Sequence, residues 1–300
     1  MLRAEIRGQL MVKGQILQSL SGYYDVVSKG IIYRTRARGN FRQKKITPLV
    51  GDWVEFKADN QSEGYLLKID SRKNQLVRPP IANVDWAVVV VSCKEPNFSA
   101  NLLDRQLVML AAQKIQPLIY FSKLDLLTES EVTAFKLIIN NYREWYSVFT
   151  TVTAIQQHIM TADFQQQTLV VMGQTGAGKS TLLNHLAPNL KLETGAVSKA
   201  LSRGKHTTRK VTLFRIGENY LADTPGFSSF ELQNIAAVEL RNFFPEFLAC
   251  QSACKFRGCL HQNEPHCAVK AAVQEKKIAA SRYQSYLQLL TVIQQQKPRY

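Results

Sequence analysis

No long apolar run occurs in the 300 residues; no uninterrupted stretch is longer than that from Trp86 to Val91, far short of the roughly 20 residues a membrane-spanning helix needs. Arg3, Glu5 and Arg7 break up the N-terminal segment, so no secretory apolar core forms there. These two absences exclude a spanning helix and a signal segment and lead us to expect a cytoplasmic protein with no membrane partner. Cysteine is scarce. Five residues are too few for a disulfide framework at this length, and four of them, Cys250, Cys254, Cys259 and Cys267, fall within 18 positions. In a reducing compartment that clustering points to a metal. Acidic residues are also in deficit, 23 against 38 Lys plus Arg, a formal net charge of +15. Such an excess predicts a polyanionic partner. With 45% hydrophobic and 20% charged residues, the chain has apolar mass for real cores and is not disordered throughout.

Three regions differ in pattern. Up to about residue 72, five short β-branched or aromatic segments alternate with turn signals: Gln15–Ser19, Tyr24–Val27, Ile31–Arg36, Trp53–Lys57 and Tyr65–Ile69. They predict a small barrel, OB-like or SH3-like. From 73 to 228, apolar strands alternate with helices: strands at Trp86–Ser92, Pro117–Ser122, Ser147–Thr153, Leu169–Gly173, Val211–Ile216 and Asn219–Ala222, and helices at Leu102–Lys114, Glu129–Trp145 and Lys179–Leu186. That alternation means an α/β layer with a mostly parallel sheet. From 229 to 300, helical segments flank a Cys/His cluster, ending in one long helical pattern over Ala268–Gln296. The expected fold is thus a multidomain α/β protein: an N-terminal barrel (1–72), a central nucleotide-binding domain (73–228) and a metal-binding helical domain (229–300).

The run Gly173-Gln174-Thr175-Gly176-Ala177-Gly178-Lys179-Ser180 follows an apolar strand and opens a helix, with Thr181 next. This is a phosphate-binding loop in its confirming context. Its glycines let backbone N–H groups curl around phosphate oxygens at a helix N-terminus. Lys179 would reach the β- and γ-phosphates and Ser180 would ligate Mg²⁺. Asp223 and Gly226, in an Asp-x-x-Gly turn some 40 residues on, would hold Mg²⁺ through water and bring an N–H to the γ-phosphate.

ATP and GTP enzymes share that loop, so a second loop must read the base. Ser122-Lys123-Leu124-Asp125 follows a strand and resembles the guanine-reading Asn/Thr-Lys-x-Asp pattern, with Ser122 as a shorter substitute. A carboxylate at 125 accepts two hydrogen bonds from guanine that adenine does not offer, so discrimination is strong. Thr153 and Ala154 are similar to the loop whose backbone N–H contacts the guanine O6. The order is unusual: the base loop precedes the phosphate loop by about 50 residues. The same sheet is built with its termini moved.

In this order of motifs, in Ile46–Asp52, in Arg78–Asp85, in Arg203–Arg209 and in the Cys/His cluster, the chain resembles the circularly permuted GTPases of ribosome biogenesis over essentially its whole length. The resemblance implies a GTPase (GTP to GDP and phosphate) with low intrinsic hydrolysis. It would act in late maturation of the small ribosomal subunit, with that subunit and its 16S rRNA as partners and activators. It also implies a metal site at Cys254, Cys259, His261 and Cys267, three thiolates and an imidazole suiting one closed, structural Zn²⁺ per chain. Cys250 reads as a core thiol and His266 as exposed.

The residue after Asp-x-x-Gly is Phe227, so the glutamine that orients water in Ras-type enzymes is missing. His206, in Gly204–Arg209, is the candidate to orient or deprotonate the water, and the resembling family gives this histidine a catalytic role. Thr207 or Thr208 would supply a hydroxyl to Mg²⁺ and the γ-phosphate, Thr208 being preferred. Basic clusters occur at Arg34, Arg36, Arg38, Arg42, Lys44 and Lys45 (with Tyr33 and Phe41 nearby), at Lys199, Arg203, Lys205, Arg209 and Lys210, and at Lys270, Lys276, Lys277 and Arg282. Three such segments favour a large anionic partner, which the resemblance implies is the small subunit with its 16S rRNA. Two other readings stand at this point, a P-loop kinase or ATPase and a zinc-dependent RNA-binding protein with a vestigial nucleotide site. Asp125 opposes the first; intact Lys179, Ser180 and Asp223 oppose the second. The expected state is a monomer.

Overall fold

The computed structural model describes residues 5–6, 9–10, 12–39, 41, 46–77, 79–161, 164–188, 211–223, 232 and 235–296. Its principal strands are β1 (Val12–Leu20), β2 (Tyr23–Ser28), β3 (Ile31–Ala37), β4 (Trp53–Ala58), β5 (Gly64–Ile69), β6 (Trp86–Ser92), β7 (Gln116–Ser122), β8 (Ser147–Phe149), β9 (Thr168–Gly173), β10 (Thr212–Ile216) and β11 (Asn219–Asp223). The principal helices are α1 (Ala100–Ala112), α2 (Glu129–Arg143), α3 (Val152–Ile159), α4 (Lys179–Leu186), α5 (Ala268–Gln274) and α6 (Ala280–Gln294). They fall into two compact units, one drawn from residues 1–87, 155–172 and 179–227, the other from 88–154, 173–178 and 228–300. No helix among the described residues is long and apolar enough to cross a membrane.

In the first unit the five predicted barrel strands all form. β1 pairs antiparallel with β2 and β2 with β3. β3 runs parallel to β5 where Arg36 and Ala37 meet Tyr65 and Leu66, β5 is antiparallel to β4, and β4 returns to β1. Five strands close in the order 1-2-3-5-4-1, so strand pairing settles what strand count left open: the barrel is OB-like. Alternation does the packing, as period 2 requires: Tyr24, Val26 and Ser28 point inward along β2, where Ile16, Val54, Phe56 and Leu66 fill the barrel. β10 joins β1 at Thr212 and Gln18, and pairs antiparallel with β11, which lies parallel to β9.

The second unit carries β6, β7 and β8 side by side, β7 and β8 being parallel. Beyond Trp86 every residue of β6 is buried, as expected of a strand covered on both faces. Ser99 caps α1 by accepting from the Leu102 N–H, and Thr128 with Glu131 forms a capping box on α2, which explains where both helices start. The C-terminal core gathers Phe244, Phe247, Tyr286, Leu289 and Leu290 around Val108 of α1.

Two sequence expectations are corrected here. The strand expected over Ser147–Thr153 stops at Phe149, because the Thr151 hydroxyl accepts from the Ala154 N–H at 3.3 Å and starts α3. The long C-terminal helix is broken: Lys276 adopts φ +60° and the amides of Lys277 and Ile278 both fold back onto the Ala272 carbonyl, a left-handed stop that no glycine announces.

Candidate functional site: nucleotide loops and a metal knuckle

The phosphate loop turns on its glycines. Gly173 has φ +142°, and a Cβ there would lie 2.2 Å from the Val90 carbonyl oxygen of β6, so only glycine lets the loop leave the strand so close to its neighbour. Gly176 and Gly178 follow with φ +85° and +94°. Gln174, Thr175 and Gly176 are exposed, Ala177 is buried, and the Ala177 N–H closes a turn on the Gln174 carbonyl at 3.2 Å. Lys179, Ser180 and Thr181 form the first turn of α4, and burial pushes the Lys179 ammonium down from its ordinary value.

The base loop leaves β7 at Ser122, which is 6% exposed. Its hydroxyl donates to the Ala177 carbonyl at 2.6 Å, so the two loops, 55 residues apart in the chain, are joined by a direct hydrogen bond. The shorter serine side chain therefore does span to the phosphate loop. Lys123 takes φ +61° and its ammonium donates to the Glu95 carbonyl. Asp125 stands exposed in the 3-10 turn Leu124–Leu126, open to accept from a ligand. Thr153 and Ala154 occupy the first turn of α3 rather than a strand end, where the Ala154 N–H is taken by the Thr151 hydroxyl at 3.3 Å.

Sequence reading overlooked the segment between β6 and α1. The Cys93 N–H donates to the Ser122 carbonyl at 3.1 Å, and the Ser92 hydroxyl to the Lys94 carbonyl at 2.6 Å. The Lys94 ammonium lies 2.9 and 3.1 Å from the two Glu131 oxygens. The Thr128 backbone N–H and Lys94 together hold the Glu131 carboxyl down to about 2, so Glu131 is ionised at neutral pH. Of Asp223 only the backbone, ending β11, is described; Gly226, His206, Thr207 and Thr208 lie outside the described residues.

Cys254, Cys259, His261 and Cys267 offer ligand atoms all within 4.8 Å of one another. His261 Nδ1 lies 3.6 Å from Cys254 Sγ and 3.3 Å from Cys267 Sγ. Burial pulls the His261 imidazole down to about 4, keeping it neutral, and pushes the Cys259 thiol up to about 12. Crowded buried thiols are poor partners for one another, whereas a soft dication would hold them as thiolates; the donor set fits a tetrahedral ion. The surrounding residues fix the knuckle. Glu264 accepts from the N–H groups of Leu260, Gln262 and Asn263 at 2.6–3.1 Å. Arg241 donates to the carbonyls of Cys259 and Arg257. Tyr283 and Tyr286, one turn apart on α6, donate to the carbonyls of His261 and Leu260. Cys250 is half-buried and points its thiol at the Glu246 and Phe247 carbonyls, and His266 is exposed.

The basic surface needs three corrections. Arg282 is 3% exposed: it donates to both Glu246 oxygens at 2.6 and 3.1 Å and to Asp104. Phe41 is buried and Tyr33 packs on Phe56, so neither is a free stacking platform. Arg34 is paired with Asp25 at 2.9 Å. Instead, Tyr23, Arg36 and Tyr65 form a row across β2, β3 and β5, with the Arg36 guanidinium 4.3 Å over the Tyr23 ring and Tyr65 49% exposed. Arg42, Lys44, Lys45, Lys199, Arg203, Lys205, Arg209 and Lys210 lie outside the described residues.

A phosphate loop bonded to a base-reading loop that comes earlier in the chain defines the class of circularly permuted P-loop GTPases. Comparison with known proteins narrows it. Residues 69–233 match the RsgA GTPase family model and residues 13–66 the RsgA N-terminal domain model. The chain is 57% identical over 294 residues to the small ribosomal subunit biogenesis GTPase RsgA of Limosilactobacillus reuteri, covering 97% of this chain and 99% of that one. It is 50% identical to the protein of that name from Streptococcus agalactiae, covering 96% and 98%. The crystal structure of YloQ, a circularly permuted GTPase, superposes with a TM-score of 0.82 at 40% identity over 99% of this chain and 100% of that one. YjeQ from Thermotoga maritima gives 0.83 at 28% identity, covering 96% and 100%. The chain belongs to the RsgA GTPase family and is a GTPase.

Proposed function

We propose that this chain binds GTP and GDP through Ser122, Lys123, Asp125, Thr153, Ala154 and Gly173–Thr181, and that its hydrolysis of GTP serves late biogenesis of the small ribosomal subunit in the cytoplasm. The observation that carries this reading is the Ser122–Ala177 hydrogen bond, which brings the base loop to the phosphate loop so that one nucleotide can engage both. In this reading Asp125 reads guanine, Lys179 takes the β- and γ-phosphates, and Ser180, Thr208 and Asp223 would hold Mg²⁺, which would neutralise negative charge on the phosphates. The Gly226 N–H meets the γ-phosphate and His206 orients the water. The names of the relatives support a role on the small subunit. The Tyr23–Arg36–Tyr65 row supports contact with its 16S rRNA, since cations and aromatics together suit phosphates and unstacked bases.

We read the chain as three working parts, 1–72 for RNA, 73–228 for GTP and 229–300 built on one Zn²⁺ at Cys254, Cys259, His261 and Cys267, acting as a monomer. Asp125→Asn tests the base assignment: GDP affinity should fall at least about 100-fold while xanthosine diphosphate affinity rises. Unchanged guanine preference in that variant would refute it.

A further inference from the structure

The segment between β6 and α1 touches both nucleotide loops and has no part in the reading above. Cys93, Lys94 and Glu95 are each held by a hydrogen bond. Cys93 donates its N–H to Ser122, the residue that binds the phosphate loop. Lys94 is held at its carbonyl by the Ser92 hydroxyl and at its ammonium by both oxygens of Glu131. Glu95, with φ +58°, offers its carbonyl to the Lys123 ammonium. Pro96 abuts the phosphate loop: a Cβ placed on Gly176 would meet its Cδ at 3.5 Å.

Ser122 gives the base loop one side-chain bond to the phosphate loop where two loops must hold a fixed separation for one ligand. Lys123 is a mobile four-carbon cation unless something anchors its end, and the Glu95 carbonyl is that anchor. The anchor's own place is set by Lys94, whose partner Glu131 is fixed by the Thr128 N–H at 2.8 Å and by the α2 capping box. A chain of polar contacts therefore runs from the start of α2, through Lys94 and Glu95, to Lys123 of the base loop, and the neighbouring Ser122 bonds the phosphate loop at Ala177.

We propose that Cys93–Pro96 is a positioning strap, and that the Lys94–Glu131 ion pair, through Glu95 and Lys123, sets guanine-nucleotide affinity. Lys94 and Glu131 are positioning residues: they act on the base loop through Glu95 and Lys123. The proposal rests on the base-loop reading given above. A strap that preorganises a binding loop changes affinity by removing an ordering cost, so it alters nucleotide binding and leaves the chemical step alone. The ion pair is partly exposed, with side chains 33% and 42% accessible, so its effect is modest and screened by salt.

The test uses the full-length protein and a fluorescent GDP analogue, with GTP turnover measured alongside. Lys94→Met and, independently, Glu131→Gln, which keeps an oxygen for the Thr128 cap, should each weaken GDP binding about fivefold at low salt. kcat at saturating GTP should stay at the wild-type value. Lys94→Arg should restore affinity, and raising salt should weaken wild type towards Lys94→Met. Affinity within twofold of wild type in both variants overturns the strap, as does Lys94→Arg binding no better than Lys94→Met. Asp125→Asn, run in parallel, separates the two levels. If it loses guanine binding while Lys94→Met does not, the strap fails and the base reading stands; if it keeps guanine preference, the base reading itself has failed.

Discussion

Arg282 is held wholly out of water by partners that neutralise it. Desolvation works against its charge, but Asp104, Tyr146 and Glu246 outweigh that and raise its pKa well above the ordinary value; Tyr142 also donates to Asp104 at 2.8 Å. Removing one member of such a cluster strands the others as buried, uncompensated charge. Arg282→Met should therefore destabilise the unit holding α1 and α6 by about 3–5 kcal/mol, read from denaturant midpoints; a loss under about 1 kcal/mol would show the cluster to be slack. This residue also marks where a sequence stops being readable. A lysine- and arginine-bearing helix looks like a solvated basic face, and nothing local discloses that the partners of Arg282 lie 36 and 178 residues away. The phosphate loop, by contrast, is legible because its glycines, lysine and serine act within eight consecutive positions. The four positions Ser122–Asp125 are legible as a pattern, but the bond that ties their loop to the phosphate loop, Ser122 to Ala177, comes from folding.

Among the elements, those with strong period or local caps match expectation: the alternating barrel strands, the buried β6, and α2 behind its Thr128–Glu131 box. The misses are at boundaries set by single side-chain or backbone bonds, Thr151 starting α3 and Lys276 ending α5. The knuckle at 254–267 is intermediate. Its Cys/His set could be picked from spacing and resemblance, but besides Glu264 within it, its supports, Arg241 and the Tyr283–Tyr286 pair, come from two further segments. Because its buried thiols and imidazole bond each other poorly, the ion should supply much of the local folding free energy. Fresh protein should contain one zinc per chain. Its removal by a chelator should abolish amide-exchange protection over 254–270 while the barrel strands keep theirs. Persistent protection in the metal-free protein, or zinc well below one per chain, would contradict this.

At the scale of the molecule, a permuted chain order still leaves the two loops bonded, Ser122 to Ala177, because loops at the ends of sheet strands are placed by strand neighbours and not by chain sequence. In the function we propose, the excess of 15 positive charges and the Tyr23–Arg36–Tyr65 row serve a partner far larger than a nucleotide. Phe227 in place of a water-orienting glutamine predicts an enzyme that waits for that partner. The most direct measurement is steady-state hydrolysis of GTP and of ATP, each with and without small ribosomal subunits. The account predicts slow GTP turnover that rises sharply on adding subunits and no comparable turnover of ATP. Equal use of both nucleotides, or GTP turnover indifferent to the subunit, would contradict it.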